Sequence, residues 1–490
     1  MTALHQQPGS TSASRRPTSM LVRAVGLVGA AIVIALVSQI IAAGRPPTVA
    51  QPPIGPGGAI GSGAAIGDPA KGGTIPAIVD LDVGAGPATA TDADTVRIKS
   101  NIAFWSQKLT AHANDFVAAE KLGESEIELA RATGDLSAYV AAGQAFDTAL
   151  ALYPDMAAAR AFKGVVLVSL HRFDEARTLA TAILAETPDD PTSLATLGDA
   201  SLELGDVVAA RTAYERLGVL APGAAASVRL GHLAFIAGDP TTAVRFAKAA
   251  VKQSDEDEDA IGERAGFYRY QLADTLIATG DRKGAERAYR DAIVHDPRSF
   301  LAHAGLGRAL AADGRLDPAI REFSAAIAII PQPDMLARRS DLYQLRHAPG
   351  DAKLAQEDRN TVIAIAQLAS ATGNVYDRTL SLYLANHGLE TARSVELATK
   401  ELEVRKDVYG YDTLAWALLA DGRAGAADAA IQTALAFGTK DAKMLYHAGM
   451  IGLALGDDAR AKAQLRAALD LDPSFDALQA ERARAALAGL

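Results

Sequence analysis

The stretch FLAHAGLGRALAADGRLDPAIREFSAAIAIIP, residues 300–331, decides the fold. It opens with about a dozen residues of helical character and reaches Gly314, a residue type that takes the left-handed backbone of a helix C-terminus without a side-chain clash. A second helix is expected to fold back against the first. Pro331 stops it and opens the next loop. Ala319 is placed where the two helices cross, because a larger side chain there would hold them apart.

The same punctuation runs outward in both directions. Proline recurs at Pro154, Pro188 and Pro222, and again at Pro297 and Pro331, each step 34 residues. Alanine recurs at Ala176, Ala210, Ala243, Ala285, Ala319, Ala427 and Ala461, with spacings of 34, 33, 42, 34, 108 and 34. A glycine five residues earlier accompanies nearly all of them, at Gly205, Gly238, Gly280, Gly314, Gly422 and Gly456. Such a hairpin cannot bury its apolar stripe alone, so each unit needs neighbours and the whole reads as a solenoid.

The unit from Pro191 gives Leu197-Gly198, Gly205-Asp206, Ala210, Tyr214 and Pro222; the unit from Phe300 gives Leu306-Gly307, Gly314-Arg315, Ala319, Phe323, Ala326 and Pro331. In this register the chain resembles the tetratricopeptide repeat (TPR) family. The resemblance implies an all-α, right-handed superhelical solenoid of about ten helical hairpins, from Asn114 to Pro473. A leading helix from Arg97 to Ala111 and a capping helix from Phe475 to Leu487 flank it, within a solenoid unit of residues 96–474 and a cap of 475–490. Units starting near Asp334 and Asn374 depart from the pattern. The C-terminal units, with Asp412 to Leu419 and Tyr446 to Ile451, resemble the last repeats of large bacterial membrane-anchored TPR proteins of undefined role.

Composition agrees: 49% of residues are hydrophobic and only 5% aromatic, ample for a continuous helical core and poor in strand chemistry. The net charge of −10 argues against a phosphate-backbone binder, so no nucleic-acid partner is expected. There is no cysteine, which excludes disulfides, thiolate metal sites, cysteine nucleophiles and a lipid-modified cysteine anchor.

The N-terminus carries the topology. Ala24 to Ala43 is twenty residues without a charge, long enough at ~1.5 Å per residue to cross a hydrocarbon core of about 30 Å. Arg15, Arg16 and Arg23 precede it and Arg45 follows, so residues 1–23 are expected in the cytoplasm and the remainder outside it, periplasmic or extracellular. A cleaved signal is the alternative, with Ala42-Ala43-Gly44 as its small-residue site and secretion as its consequence; the length of the apolar run favours an anchor. Residues 44–95, rich in Gly, Pro and Ala, read as a disordered linker that holds the solenoid off the bilayer, with Ile75 to Val83 as a short apolar interruption.

A search for chemistry returns near misses. No phosphate-binding, zinc-protease or nucleophile-elbow pattern occurs, the nine histidines are scattered, and neither a metal nor a cofactor is expected. The acidic run Asp255 to Asp259 lacks the glycine and glutamate that a calcium loop needs at its sixth and twelfth positions, where Ala260 and Gly266 stand; it reads as a solvated insertion between repeats.

In this family the first helix of each repeat lines a concave groove. Projecting the register places Asp199, Arg229, His232, Phe235, Phe267, Tyr270, Asp274, Arg308, Asp412, Trp416, Tyr446 and His447 on or near that surface, a mix suited to a protein or peptide partner. The Lys and Asn of a chaperone carboxylate clamp are missing, with Ala195 and Asp199, then Ala304 and Arg308, in their places. The reading is a membrane-tethered, non-enzymatic scaffold for protein–protein interaction outside the cytoplasm. Its alternative is a periplasmic assembly factor or small-ligand sensor using a pocket around Asp412 and His447.

Overall fold

In the computed structural model the described residues are 89–257, 260, 262–371 and 378–490, with side chains described from residue 95. They form helices only, twenty-two of them. The expected cytoplasmic tail, the span Ala24 to Ala43 and most of the linker lie outside the described residues. Among the described residues no helix is long and apolar enough to cross a membrane.

A leading helix, α1 (Thr89–Ala111), precedes ten hairpins. Repeats 1 to 5 are α2 (Phe116–Thr133) with α3 (Leu136–Leu152), α4 (Ala157–Ser169) with α5 (Phe173–Glu186), α6 (Pro191–Glu203) with α7 (Val207–Leu220), α8 (Ala224–Ile236) with α9 (Pro240–Asp255), and α10 (Glu263–Ala278) with α11 (Arg282–His295). Repeats 6 to 10 are α12 (Phe300–Ala312) with α13 (Leu316–Ile329), α14 (Pro333–Arg346) with α15 (Asp351–Ala371), α16 (Arg378–His387) with α17 (Thr391–Val404), α18 (Val408–Ala420) with α19 (Ala424–Leu435), and α20 (Ala442–Ala454) with α21 (Asp458–Leu471). Helix α22 (Gln479–Ala488) closes the chain.

Two boundaries differ from the sequence expectation. Helix α1 begins at Thr89, ahead of Arg97, because residues 88–95 hold neither the glycine nor the proline of the linker before them. The closing helix begins at Gln479, after Phe475, because the Asp476 carboxylate accepts the amides of Leu478 and Gln479 and so caps it.

Each hairpin is held by small residues opposite large ones. All seven recurring alanines, from Ala176 to Ala461, are 0% exposed. The glycine of each Leu-Gly pair lies under a ring or branched side chain from the second helix. A Cβ on Gly198 would stand 2.2 Å from the Tyr214 ring, and one on Gly307 would stand 2.9 Å from that of Phe323. The two divergent units obey the same rule: Ala355 in α15 and Ser394 in α17 are fully buried at the crossing, and Ser394 exchanges hydrogen bonds with Ser381 of α16.

The array closes on itself. The turn of each of repeats 1, 3, 4 and 5 packs on the chain at the end of the repeat five further on. Gly134 meets Ile330, Gly205 meets Lys406, Gly238 meets Gly438, and Gly280 meets Leu471. Lys406 donates its amide to Glu203 O at 2.8 Å, Thr439 donates from Oγ1 to Ile236 O at 2.6 Å, and Arg405 Nε lies 2.5 Å from Glu203 Oε2. Repeat 2 joins the seam through Phe173, whose ring lies beneath the Arg405 guanidinium at 5.4 Å. Glycine is required at this seam for space as well as for φ: a Cβ on Gly205, Gly238 or Gly280 would stand 2.7, 2.2 or 2.6 Å from a carbonyl oxygen of the facing chain. The equivalent glycines of repeats 6 to 10, Gly314, Gly350, Gly388, Gly422 and Gly456, have open space instead. Five repeats therefore make one level, and the second level rests on the first.

Candidate functional site

Closure turns the concave face into a chamber of about 520 Å³. Its wall takes at least one charged or polar side chain from each of seven consecutive first helices, among them His232 (α8), Asp274 (α10), Arg308 (α12), Arg338 (α14), Arg378 (α16), Asp412 (α18) and Lys443 (α20). Residues 472–478 of the C-terminal segment line it as well. The predicted groove residues His232, Phe235, Asp274, Arg308 and Asp412 thus face one cavity, while Arg229, Tyr270, Trp416, Tyr446 and His447 stand outside its lining.

Much of the predicted set forms ties between successive repeats. Asp199 of α6 receives the Tyr214 hydroxyl at 2.8 Å and the Arg229 guanidinium of α8 through Nε and Nη2, both at 2.8 Å. The unit recurs further along: Asp274 of α10 receives the Tyr289 hydroxyl at 2.7 Å, the Arg308 guanidinium of α12 at 2.5 Å and the Tyr270 hydroxyl at 3.3 Å. In both cases the tyrosine follows the aspartate by 15 residues, and the arginine arrives from a later first helix. The Arg229–Asp199 pair is bidentate and so fixes its two helices in distance and in rotation, whereas Arg308 reaches Asp274 through Nη2 alone. Phe267 stacks at an angle against Tyr270, with ring centroids 6.5 Å apart.

The C-terminal cluster is also built into the packing. His447 and Tyr446 are 0% and 1% exposed, Asp412 and Trp416 6% and 7%. His447 Nδ1 is 2.8 Å from Asp412 Oδ1, its ring stacks on Trp416 at 4.2 Å, and Trp416 donates its indole N–H to Asn386 Oδ1 at 2.8 Å. This is a buried contact between repeats 8, 9 and 10, in which His447 Nε2 alone has no hydrogen-bond partner.

The chamber has the electrostatics of an enclosed wet space. Arg308 and Asp274 keep 35% and 37% of their side-chain surface open to the space they line. Water reaches the His232 ring too, but burial among the walls lowers its pKa. Burial, reinforced by the Asp476 charge, pushes the Asp341 carboxyl up to about 7, and burial with Asp412 nearby raises that of Asp441. Asp476 goes the other way. Burial alone would raise it, but Lys443 and Arg338 hold it down at about 2.

Sequence reasoning missed Arg338, Asp341, Arg378, Lys443 and the C-terminal segment as chamber groups. The first three fall in or beside the units whose register is irregular. The Gly350-to-Ala355 step of five residues was the available signal for aligning the first of those units. The acidic run also does more than face solvent: Asp255 bonds Arg269 at 2.5 Å, and Asp291 holds the same guanidinium at 2.8 Å. Among the described residues no group of three His, Asp or Glu side chains is arranged to hold a metal ion.

Three sequence families, each described as tetratricopeptide repeat, match residues 195–258 and 270–332, residues 135–197, and residues 442–475. The chain is a tetratricopeptide repeat protein. No curated protein sequence matches it. Among solved structures this TPR array is similar to a human IFIT1 dimer with PPP-AAAA, at 13% identity over 72% of this chain and 87% of that one, TM-score 0.41. It is similar to MamA at 22% identity over 34% and 93% of the two chains, TM-score 0.28. A thermophilic TPR protein of Thermus thermophilus, TTC0263, gives 18% identity over 42% and 99%, TM-score 0.32. The tetratricopeptide repeats suggest a scaffold for protein–protein interaction, and that much of the expectation stands.

Proposed function

We propose that the chain is a membrane-tethered, non-enzymatic scaffold exposed outside the cytoplasm, and that it holds a polypeptide partner at its chamber. The observation that carries the partner site is the chamber wall itself, a row of mixed polar and charged groups with at least one side chain from each first helix of repeats 4 to 10. Such a row, with Asp274 and Asp412 flanking Arg308, Arg338 and Arg378, presents fixed orientation cues to an extended chain. The tether rests on sequence alone: an uncharged run from Ala24 to Ala43 with Arg15, Arg16 and Arg23 before it. Capture of a specific polypeptide by the full chain, abolished by Arg308→Glu with Lys443→Glu in a protein of unchanged helicity, is the expected result. Undiminished capture by that variant sinks the chamber as the site. For the tether, alkaline phosphatase fused after Leu490 should be active, and the chain should stay in membranes after carbonate washing.

A second reading draws on the chamber's volume. About 520 Å³ falls within the ~300–1,000 Å³ of small-molecule sites, which suits a small-ligand sensor or assembly factor. Saturable uptake of a small polar molecule without polypeptide capture would select it.

A further inference from the structure

A terminal cap need only meet the last repeat, α20 and α21. The segment from Asp472 to Leu490 also lines the chamber, through Asp472 and residues 474–478, and engages first helices of three repeats. Phe475 packs on Tyr446 of α20 with ring centroids 5.5 Å apart. The Asp476 carboxylate stands 3.4 Å from Lys443 Nζ of α20 and 3.8 Å from the Arg338 guanidinium of α14. Gln479 donates from Nε2 to Asn386 Oδ1 of α16 at 2.8 Å, and Arg482 donates to Asn386 O at 3.4 Å.

The segment therefore occupies the chamber as an acidic peptide would, an aromatic ring first and a carboxylate next, seated on two cations. Ala480 and Ala483 of α22 pack against the last repeat at 2% and 0% exposure, but the polar hold at the chamber is of the exchangeable kind. Lys443 and Arg338 keep 29% and 30% of their side-chain surface, and both ion pairs are longer than direct hydrogen bonds, so salt screens them. Arg338 already donates from Nε to both oxygens of Asp334, at 2.9 and 3.0 Å, so it keeps a partner when Asp476 leaves. Lys443 and Arg338 nonetheless favour an ionised carboxylate strongly enough to overcome its burial at Asp476.

We propose that residues 473–490 are a displaceable bolt, and that Arg338 and Lys443 beneath it form a recognition site for an acidic segment of the partner, with an aromatic residue immediately before the carboxylate. This rests on the scaffold reading and names its partner's chemistry. The unbolted chain exposes the two cations to the chamber, and a partner segment that repeats the Phe475-Asp476 pattern competes for them. Two levels of regulation follow from one contact: the bolt keeps the chamber shut to weak acidic peptides and yields to those that add contacts along the wall.

The probe is a fluorescent peptide of residues 473–482, PSFDALQAER, titrated by anisotropy against the full chain. Phe475→Ala with Asp476→Ala, which loosens the bolt, should bind it at least ten-fold more tightly than the unaltered chain. Adding Lys443→Ala should abolish that gain, and raising salt should weaken it. A loosened variant of unchanged helicity that binds no better, or that binds equally without Lys443, overturns the proposal. Hydrogen exchange on the unaltered chain tests it without any variant. The amides of α22 should exchange ahead of those of α20 and α21, and exchange of α22 only together with α20 refutes a bolt. Capture of the partner that is indifferent to both the bolt and Lys443 overturns this inference while leaving the scaffold intact.

Discussion

Replacing Gly238 with alanine places a Cβ 2.2 Å from the carbonyl oxygen of Gly438, at a φ of 78°. The left-handed backbone by itself costs a residue with a Cβ about 1–2 kcal/mol. Gly422→Ala measures that term alone, since its φ is 76° and nothing lies within 4 Å of its Cβ position. At Gly238 the carbonyl of the facing chain must also move. Overpacking of this kind costs ~1–3 kcal/mol, and loss of the adjoining Thr439 to Ile236 hydrogen bond adds ~0.5–1.5 kcal/mol. Gly238→Ala should therefore exceed Gly422→Ala by ~1.5–4.5 kcal/mol. A repeat array does not unfold in one step, so the assay is hydrogen exchange resolved by segment rather than a global melt. The variant should loosen α8 and α9 and also residues 436–441, two hundred positions away in the chain. Equal losses in the two variants, or a loss confined to α8 and α9, would refute the seam.

Other outcomes follow from single residues. Ala319→Leu adds three heavy atoms at a fully buried crossing and should cost ~1–3 kcal/mol, with exchange rising first in repeats 5 to 7. Trp416→Ala with Tyr446→Ala empties two buried ring sites and removes one of the two donors to Asn386 Oδ1, so amide exchange in repeats 8 to 10 should rise steeply, each ring being worth ~3–5 kcal/mol. A stable double variant would show that these rings are not core. Asp341 titrates near 7 in the folded chain, through burial and the Asp476 charge, and far lower when unfolded, so the folded state holds the extra proton between about pH 4 and 7. Its contribution to stability is present at low pH and is lost as pH rises, by up to ~1.4 kcal/mol per pH unit; Asp341→Asn should flatten melting curves over that window.

What the sequence revealed and what it hid have separate physical origins. The hairpins were legible because Gly314 and Ala319 act within one turn and one crossing, and local spacing records local contacts. Ala355 and Ser394 do the same work in repeats 7 and 8, and were harder to place because α15 runs on to Ala371 and shifts the register of the next unit. The seam was not legible. Gly238 and Gly422 look alike in sequence, yet one abuts a backbone oxygen and the other faces open space, because the number of repeats per level is set by side-chain angles summed over five hairpins. In the candidate site the charged and aromatic residues were rightly assigned to first helices, but pairing decided their roles. The recurring Asp199–Tyr214 and Asp274–Tyr289 spacing of 15 residues was present in the sequence and, read as a unit, would have marked both aspartates as structural ties.

Closure of the array requires its second level to rest on its first, and one amide reports that contact. Lys406 lies in the loop between α17 and α18 and donates its N–H to Glu203 O at 2.8 Å, across the seam. In a closed array this amide should exchange orders of magnitude more slowly than an exposed loop amide, and should lose that protection when Glu203 and its turn are loosened by Gly205→Ala. Exchange of the Lys406 amide at the rate of an unstructured peptide in the unaltered chain would contradict closure, and with it the chamber.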